Sequence, residues 1–423
     1  MERKKYETCL NVLKEELIPA MGCTEPVAVA YAAALARDTL GAMPEHTEVA
    51  VSGNILKNVK SVVVPNTGGL RGVAVAVAAG IVAGDASKEL EVLSAITAEE
   101  IGRIAPYMQS APIAVKESDS GCVFDIGVRV FCGADEAFVR IAERHTNVVR
   151  VEKNGEVLRS GESGEAGAET PQADFSVKDI VEFADTVALA DVEEALERQI
   201  AFNGAICEEG LKTDYGARVG KILLSAFGND IHNRAKATAA AGSDARMNGC
   251  ELPVVIVSGS GNQGITASVP VIVYAKELGV SHEKLLRALV VSNLVTVHLK
   301  RGIGCLSAYC GAVSAGCGAG AGVCYLRGGS YKEIAHTIVN ALAIESGVIC
   351  DGAKSSCAAK VASAVEAGLV GMEMYRRGSE FIGGDGIVEK GVENTIRAVG
   401  DLARNGMRET DEEIIRLMIR QLA

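Results

Sequence analysis

The chain has 423 residues, with 54 acidic against 42 basic side chains and a formal net charge of −12 at pH 7. Proteins that bind nucleic acid or an anionic membrane present a basic surface, so this charge and the lack of any lysine and arginine block predict neither partner. Tryptophan is absent and glycine contributes 47 residues. Because small side chains let helices approach closely, this composition favours a compact, mainly helical body.

The first part of the chain alternates between helical and strand-like patterns. Residues 3–18 predict a helix that ends before Pro19, and this charged, amphipathic sequence is unlike a signal peptide. A loop at 21–26 opens the next helix, with Thr24 as its cap and Pro26 in its first turn. The patterns then predict, in chain order, a helix at 27–41, strands at 48–51 and 60–64, and helices at 72–84 and 87–101.

Short alternating runs follow and predict a set of strands, at 122–131, 136–144, 147–151 and 156–159. The Asn154-Gly155 pair between the last two is a hairpin signal. Residues 160–175 read as a linker, and nearly all of the chain after Ser176 predicts helices. We therefore expect an α+β fold. In it, a large, mainly helical catalytic domain (1–46 and 165–423) carries an inserted small α/β domain at 47–164.

A glycine-rich segment at 259–264, GSGNQG, fits the fingerprint of dinucleotide-binding proteins, and 253–257 before it could be the required strand. The acidic residue that should end a second strand about 20 residues later is missing. The following segments, 269–279 and 281–296, predict helices instead. A glycine-rich turn at a helix start can hold a carboxylate with its backbone N–H groups, and an ordinary glycine turn is the alternative.

Twelve cysteines occur, and in a reducing cytosol they are metal ligands, reactive thiols or small buried residues. Cys310, Cys317 and Cys324 recur every seven residues, which places neighbours about 10.5 Å apart along one helix. That spacing predicts a packing stripe with at most one cluster ligand. Cys350 and Cys357 flank a segment that favours a loop or helix start, where two thiolates can reach one cluster, although this spacing alone does not establish it.

Cys23 stands apart because it lies where a helix is predicted to begin. A helix N-terminus lowers the pKa of a thiol, so Cys23 is a candidate base, nucleophile or ligand. The alternative is a buried small residue. Near the other cysteine pair, Lys354 can stabilise thiolate charge in the same way.

Four segments together point to one family: 21–26, 52–58, 258–264 and 350–358. Over nearly the whole chain they resemble the L-cysteine desulfidase family, which is related to the α chain of bacterial iron–sulfur L-serine dehydratases. The resemblance implies a [4Fe–4S] cluster held by Cys310, Cys350 and Cys357, without pyridoxal phosphate. It also implies that Cys23 is a fourth ligand displaced by substrate or the catalytic base. It assigns no role to Cys207, Cys305, Cys317 and Cys324.

The implied reaction is β-elimination of L-cysteine to pyruvate, ammonia and hydrogen sulfide. An iron with an open position would act as a Lewis acid, and a base must reach the Cα proton. Cys23 is the first candidate base, with Lys57 and Lys354 as weaker ones. His298 lies in an apolar stretch and suits a satisfied core histidine. The predicted substrate-binding residues are Asn54, Ser258, Ser260, Asn262 and Gln263, joined by Ser355 and Ser356 for substrate or cluster sulfides.

Three other functions stay open at this point. An L-serine dehydratase would use the same cluster, and a non-catalytic iron–sulfur or thiol sensor would keep the cysteines without the reaction. A pyridoxal enzyme would need a lysine-linked cofactor. We expect a cytoplasmic protein whose partner is a small amino-acid substrate, with a homodimer as the commonest oligomer.

Overall fold

The computed structural model describes residues 1–161, 175–304 and 306–420. The predicted α+β fold is confirmed, because a large helical part is joined to one six-stranded and one two-stranded sheet. The helices are α1 (Arg3–Glu16), α2 (Thr24–Leu40), α3 (Gly53–Val59), α4 (Val73–Ala83), α5 (Ala98–Ser110), α6 (Val177–Thr186), α7 (Glu193–Lys212), α8 (Val219–Phe227), α9 (Ile231–Met247), α10 (Gly261–Leu278), α11 (His282–Ile303), α12 (Gly311–Leu326), α13 (Tyr331–Ile344), α14 (Cys357–Arg376), α15 (Val392–Asp401) and α16 (Arg408–Arg420). The strands are β1 (Pro19–Met21), β2 (His46–Val51), β3 (Ile113–Glu117), β4 (Asp125–Cys132), β5 (Asp135–Ala142), β6 (Val148–Lys153), β7 (Glu156–Ser160) and β8 (Pro253–Val255).

The larger sheet has the order β3-β2-β4-β5-β6-β7, in which only β2 and β3 pair in parallel. Ile126, Val128 and Val130 alternate along β4 and are fully buried, as a half-buried strand requires. The helix α2 packs on β4 and β5. The predicted hairpin is confirmed, since Asn154 and Gly155 both have positive φ (50° and 82°) between β6 and β7, which suits the tight turn.

The helical part is held together by helices in backbone contact. A Cβ added at Gly316 of α12 would lie 2.1 Å from the carbonyl oxygen of Ala364 in α14, and one added at Gly368 would lie 2.2 Å from that of Gly316. Cys317 and Cys324 are buried in the same core. The expected close approach of small-residue helices is therefore present, and two of the three evenly spaced cysteines pack inside it.

Several predicted elements differ from the structure. Residues 60–64 were predicted as a strand, but they directly follow the short helix α3, which Ser52 caps. Within 60–64, only Val63 makes a β-bridge, and that bridge is isolated. The predicted helix at 87–101 is a 3₁₀ segment followed by turns, and α5 begins only at Ala98, where Thr97 and Glu100 form a capping box. The strand β3 was not predicted.

The predicted linker at 160–175 lies mostly outside the described residues, as does Cys305. The buried core runs without a break from the sheet into the helices, so the division into domains at 46/47 and 164/165 stays a prediction. Among the residues that the structure describes, no helix is long and apolar enough to cross a membrane.

Candidate active site

A cavity of about 110 Å³ lies where the sheet meets the helical part. It collects predicted site residues that are far apart in sequence. Those on its wall are Cys23, Lys57, Ser258, Ser260, Asn262, Gln263, Cys310, Cys350 and Cys357. The folded chain therefore brings the three predicted cluster ligands and the predicted base to one cavity.

Helix N-termini converge on this cavity. Cys23, Ser260 and Cys310 are the N-cap residues of α2, α10 and α12, and none of them makes a side-chain cap hydrogen bond. Cys357 is the first residue of α14. Because the N-terminal end of a helix carries partial positive charge and unsatisfied N–H groups, this arrangement favours negative charge in the cavity.

Two loops are tied together to place the three cysteines. The loop before α12 and the loop before α14 pair at Tyr309 and Ile349 as an antiparallel bridge. The Cys310 N–H donates to Val348 O at 2.9 Å, and the Cys350 N–H donates to Ala308 O at 2.6 Å. These backbone bonds fix both cysteines on one wall, which the sequence spacing of 40 residues could not reveal.

The electrostatics of the cysteine wall favour a thiolate at Cys350. The Cys310 thiol donates a hydrogen bond to the Cys350 sulfur, which raises the pKa of Cys310 and lowers the pKa of Cys350. The ammonium groups of Lys57 and Lys360 lower the pKa of Cys350 further. Burial raises the pKa of Cys357. Cys350 is thus the first of the three to ionise, and each ionisation in turn needs compensating positive charge.

The donor set fits a polynuclear cluster better than a single ion. Within the described part of the chain, no three His, Cys, Asp or Glu side chains are arranged to hold one metal ion. A cluster does not require its cysteines to meet at one atom, because each thiolate binds a different iron. Three partly buried thiols beside two ammonium groups match the chemistry of such a group.

The pKa of Cys23 is shifted in the direction opposite to the prediction. Its thiol donates to Glu25 Oε2 at 3.1 Å, and burial together with the Glu25 carboxylate raises its pKa well above the usual value. Desolvation and an adjacent negative charge outweigh the helix N-terminus. The predicted cap is also wrong, because Thr24 is the first helical residue and its hydroxyl donates to Gly259 O at 2.9 Å.

The glycine-rich segment is not a dinucleotide site, because β8 pairs antiparallel with β1 in a two-stranded sheet and helices α10 and α11 follow it. Its glycines make room for two cavity side chains. A Cβ at Gly259 would lie 2.8 Å from His145 Cε1, and one at Gly261 would lie 2.3 Å from Arg246 Nε. The predicted helix start is confirmed at Gly261.

Sequence reasoning missed several cavity residues, above all Glu25, Asn58, His145, Arg246 and Tyr309. Buried atoms without a hydrogen-bond partner gather here; they are His145 Nε2, Arg246 Nε, Asn262 Oδ1, Gln263 Oε1 and Tyr309 OH. Each such atom costs about 1–3 kcal/mol when left unsatisfied. Their concentration at one place indicates that the site is completed by a polar ligand.

Other predicted residues lie off the cavity wall. Lys354 forms an ion pair with Asp351, and Ser355 Oγ donates to Asn248 Oδ1 at 2.7 Å. Asn54 and Ser356 also do not line the cavity. His298 does not line the cavity either. A hydrogen bond of 2.8 Å joins its Nε2 to Glu393 Oε2. None of these residues lines the cavity, so their predicted roles in catalysis and substrate binding stay predictions.

Lys57 lines the cavity, but its ammonium group is paired. The Lys57 Nζ lies 2.5 Å from Asp411 Oδ1 of α16, and its side chain is 1% exposed. The Lys57 ammonium group lies beside the cysteines and lowers the pKa of Cys350, and its predicted role as a base stays a prediction.

Comparison with known families matches residues 87–416, more than half of the chain, to the serine dehydratase alpha chain. The matched region contains Cys310, Cys350 and Cys357 but not Cys23, the fourth cysteine of the cavity wall. Full-length relatives are UPF0597 proteins. The one from Desulfitobacterium hafniense is 57% identical over 100% of this chain and 99% of its own length. Those from Lachnoclostridium phytofermentans (48%; 98% and 100%) and Treponema denticola (44%; 99% and 99%) are similar throughout. The chain therefore belongs to the serine dehydratase alpha chain family.

Proposed function

We propose that this protein is a lyase that removes the β-substituent of a small L-amino acid, with L-cysteine as substrate and pyruvate, ammonia and hydrogen sulfide as products. One observation carries the proposal. Cys310, Cys350 and Cys357 line the same cavity as Cys23. Membership of the serine dehydratase alpha chain family supports elimination chemistry at such a site.

Cys310, Cys350 and Cys357 are the residues that would hold a [4Fe–4S] cluster. When bound, this group supplies a Lewis acid for the departure of the β-substituent. The charges of Lys57 and Lys360 stabilise the thiolate form of Cys350. Cys310 and Cys357 lie at the N-termini of α12 and α14, where a helix favours negative charge.

We propose that Cys23 removes the Cα proton of the substrate. To act as this base, the Cys23 thiol must first lose its own proton. The Cys23 thiol already donates to Glu25 Oε2 at 3.1 Å. Transfer of the thiol proton to this carboxylate leaves Cys23 Sγ as the base. The enamine that follows elimination tautomerises and hydrolyses to pyruvate and ammonia without further residues.

The size and polarity of the cavity support a small, charged substrate. About 110 Å³ is available, which is well below the volume of typical drug-sized ligand pockets, about 300–1,000 Å³. The unpartnered polar atoms on the wall require a ligand that offers both donors and acceptors. A short amino acid meets both conditions.

L-serine is the second candidate substrate, and the description of the matched family favours it. The test is pyruvate release from L-cysteine and L-serine, measured side by side under anaerobic conditions together with sulfide release. We expect the higher kcat/KM with L-cysteine. An equal or higher value with L-serine would overturn the choice of substrate. A cluster-loaded protein that releases pyruvate from neither would favour a sensor.

A further inference from the structure

Arg246 is a buried cation without a counterion in the described part of the chain. It lies near the C-terminal end of α9, is 3% exposed and lines the cavity. No hydrogen bond or salt bridge joins its guanidinium to another described residue, and its Nε is buried without an acceptor. A guanidinium stays charged at all relevant pH values. Burial of an unpaired charge is strongly unfavourable, so the site calls for an anion.

The start of α10 points to the same anion. This helix has 18 residues and no side-chain cap at Ser260, so the N–H groups of its first turn lack intrahelical partners. Gly261, its first residue, packs directly on the Arg246 guanidinium, because a Cβ there would lie 2.3 Å from Nε and 2.8 Å from Cζ. A helix N-terminus beside a guanidinium is well suited to a carboxylate.

Two acceptors stand next to this pair. The amide oxygens of Asn262 and Gln263, in the first turn of α10, are buried without a donor. A carboxylate cannot donate to them, whereas an ammonium group can. The start of α10 therefore presents a cation for a carboxylate and acceptors for an ammonium, which is the pattern of an amino-acid zwitterion.

The other charged groups of the cavity already have partners. The Glu25 carboxylate accepts from Cys23 and Asn58. Lys57 is paired with Asp411, and Lys300 donates to Gly304 O. Among the described residues of the cavity, Arg246 is thus the cation that has no partner and can bind an anionic ligand.

We propose that Arg246, together with the start of α10, binds the α-carboxylate of the substrate, while the amide oxygens of Asn262 and Gln263 accept from its α-ammonium. This assignment rests on the proposed function only for the identity of the substrate. It makes Arg246 a specificity-determining residue. The enzyme selects amino acids over amines that lack the carboxylate and over thiol acids that lack the ammonium.

The test is calorimetric binding of L-alanine to the cluster-loaded enzyme under anaerobic conditions. L-alanine keeps both charged groups but has no leaving group, so binding is separated from turnover. Ethylamine and propionate are the probes that each lack one group. We expect Arg246→Gln to weaken L-alanine binding by roughly 30-fold or more, with Arg246→Lys intermediate. Arg327→Gln, which breaks an ion pair with Glu373 outside the cavity, is the matched control and should bind as the wild type does.

Two results would overturn the inference. One is a folded Arg246→Gln variant that binds L-alanine within about threefold of the wild type, a difference of less than 1 kcal/mol. The other needs no variant, because wild-type protein that binds ethylamine as tightly as L-alanine makes no use of the carboxylate. L-alanine binding that depends on Arg246, without pyruvate from any substrate, keeps this inference and overturns the proposed function. If Arg246→Gln releases pyruvate with an unchanged KM, this inference is overturned and the proposed function is kept.

Discussion

The two ends of one cysteine series lie in opposite environments. Cys310 caps α12 at the cavity, close to Cys350 and Cys357, whereas Cys317 and Cys324 are buried inside the same helix among packed backbones. The residue type and the seven-residue spacing are identical. The role of a cysteine here is therefore set by the loop or helix that carries it and by what surrounds its sulfur.

The two environments also differ in what they leave incomplete. The cavity gathers buried polar atoms without partners, while the α12–α14 contact is filled so tightly that a single Cβ has no room. Buried polar atoms without partners indicate a site that a ligand completes, whereas the close packing of α12 on α14 is typical of a protein core. Substitutions in each region should consequently affect different quantities.

The largest expected effect is on activity, at the cavity end of the cysteine series. Cys350→Ser should lower pyruvate release by at least about a thousandfold and abolish iron binding, because one of three ligands is lost. Its thermal unfolding temperature without cluster should stay near that of the wild type. Activity, iron content and calorimetry on the same preparation decide this. Cys324→Ala is the control, and an active, iron-bearing Cys350→Ser protein would refute the ligand assignment.

The next effect is on stability, at the packed contact. Gly368→Ala should lower the free energy of unfolding by about 3 kcal/mol, the upper range for overpacking, because the new Cβ would lie 2.2 Å from Gly316 O. Urea unfolding measures the change. Gly102→Ala in α5 is the matched control, since no atom lies within 4 Å of the added Cβ. It should gain up to about 1 kcal/mol from helix propensity. Equal values for both variants would contradict the close packing.

Asp244 also has a buried oxygen atom without a hydrogen-bond partner, but here we expect protonation of the carboxyl group rather than a bound ligand. It lies off the cavity wall, its Oδ2 accepts from Gly220 N at 3.0 Å and its Oδ1 has no partner. Burial raises its pKa to about 6. Because the folded state holds this proton above the unfolded pKa, stability should fall as pH rises from about 4 to 6 and then level off.

Asp244→Asn should remove that dependence and be more stable than the wild type by roughly 2 kcal/mol above pH 7. Unfolding free energies of both proteins at pH 5 and pH 8 provide the measurement. A stability difference that does not change with pH would show that Asp244 is charged throughout. In that case the unpartnered oxygen would need another explanation.

The smallest effect is expected at the buried end of the cysteine series. Cys317→Ala removes one sulfur from a packed core and should cost about 1 kcal/mol through the small cavity that remains. Iron content and activity should match the wild type after reconstitution. Loss of iron in this variant would erase the distinction between the two ends of the series.

Part of this site followed from the sequence alone. The rise of a helix is fixed, so the spacing of Cys310, Cys317 and Cys324 already excluded one cluster held by all three. Arg246 and His145 could not be placed in that way, because they reach the cavity from α9 and from the β5–β6 loop through tertiary packing. One signal was present, since the charged residues Asp244 and Arg246 follow a run of small residues.

The electrostatics of Cys23 show a second limit. Its position at a helix start was visible in the sequence, but the burial of its sulfur and the direction of the Glu25 side chain were not. Those two features decide the sign of the pKa shift. Local pattern predicted most of the elements, whereas the packing between distant elements determined the electrostatics of the site.

The most direct test of the cluster assignment is the iron and acid-labile sulfide content of the wild-type chain after anaerobic reconstitution, read with its absorbance spectrum. We expect equal amounts of iron and sulfide, at the stoichiometry of one [4Fe–4S] cluster per chain, with a broad iron–sulfur absorbance. A folded chain that takes up no iron, or iron without sulfide, would contradict it.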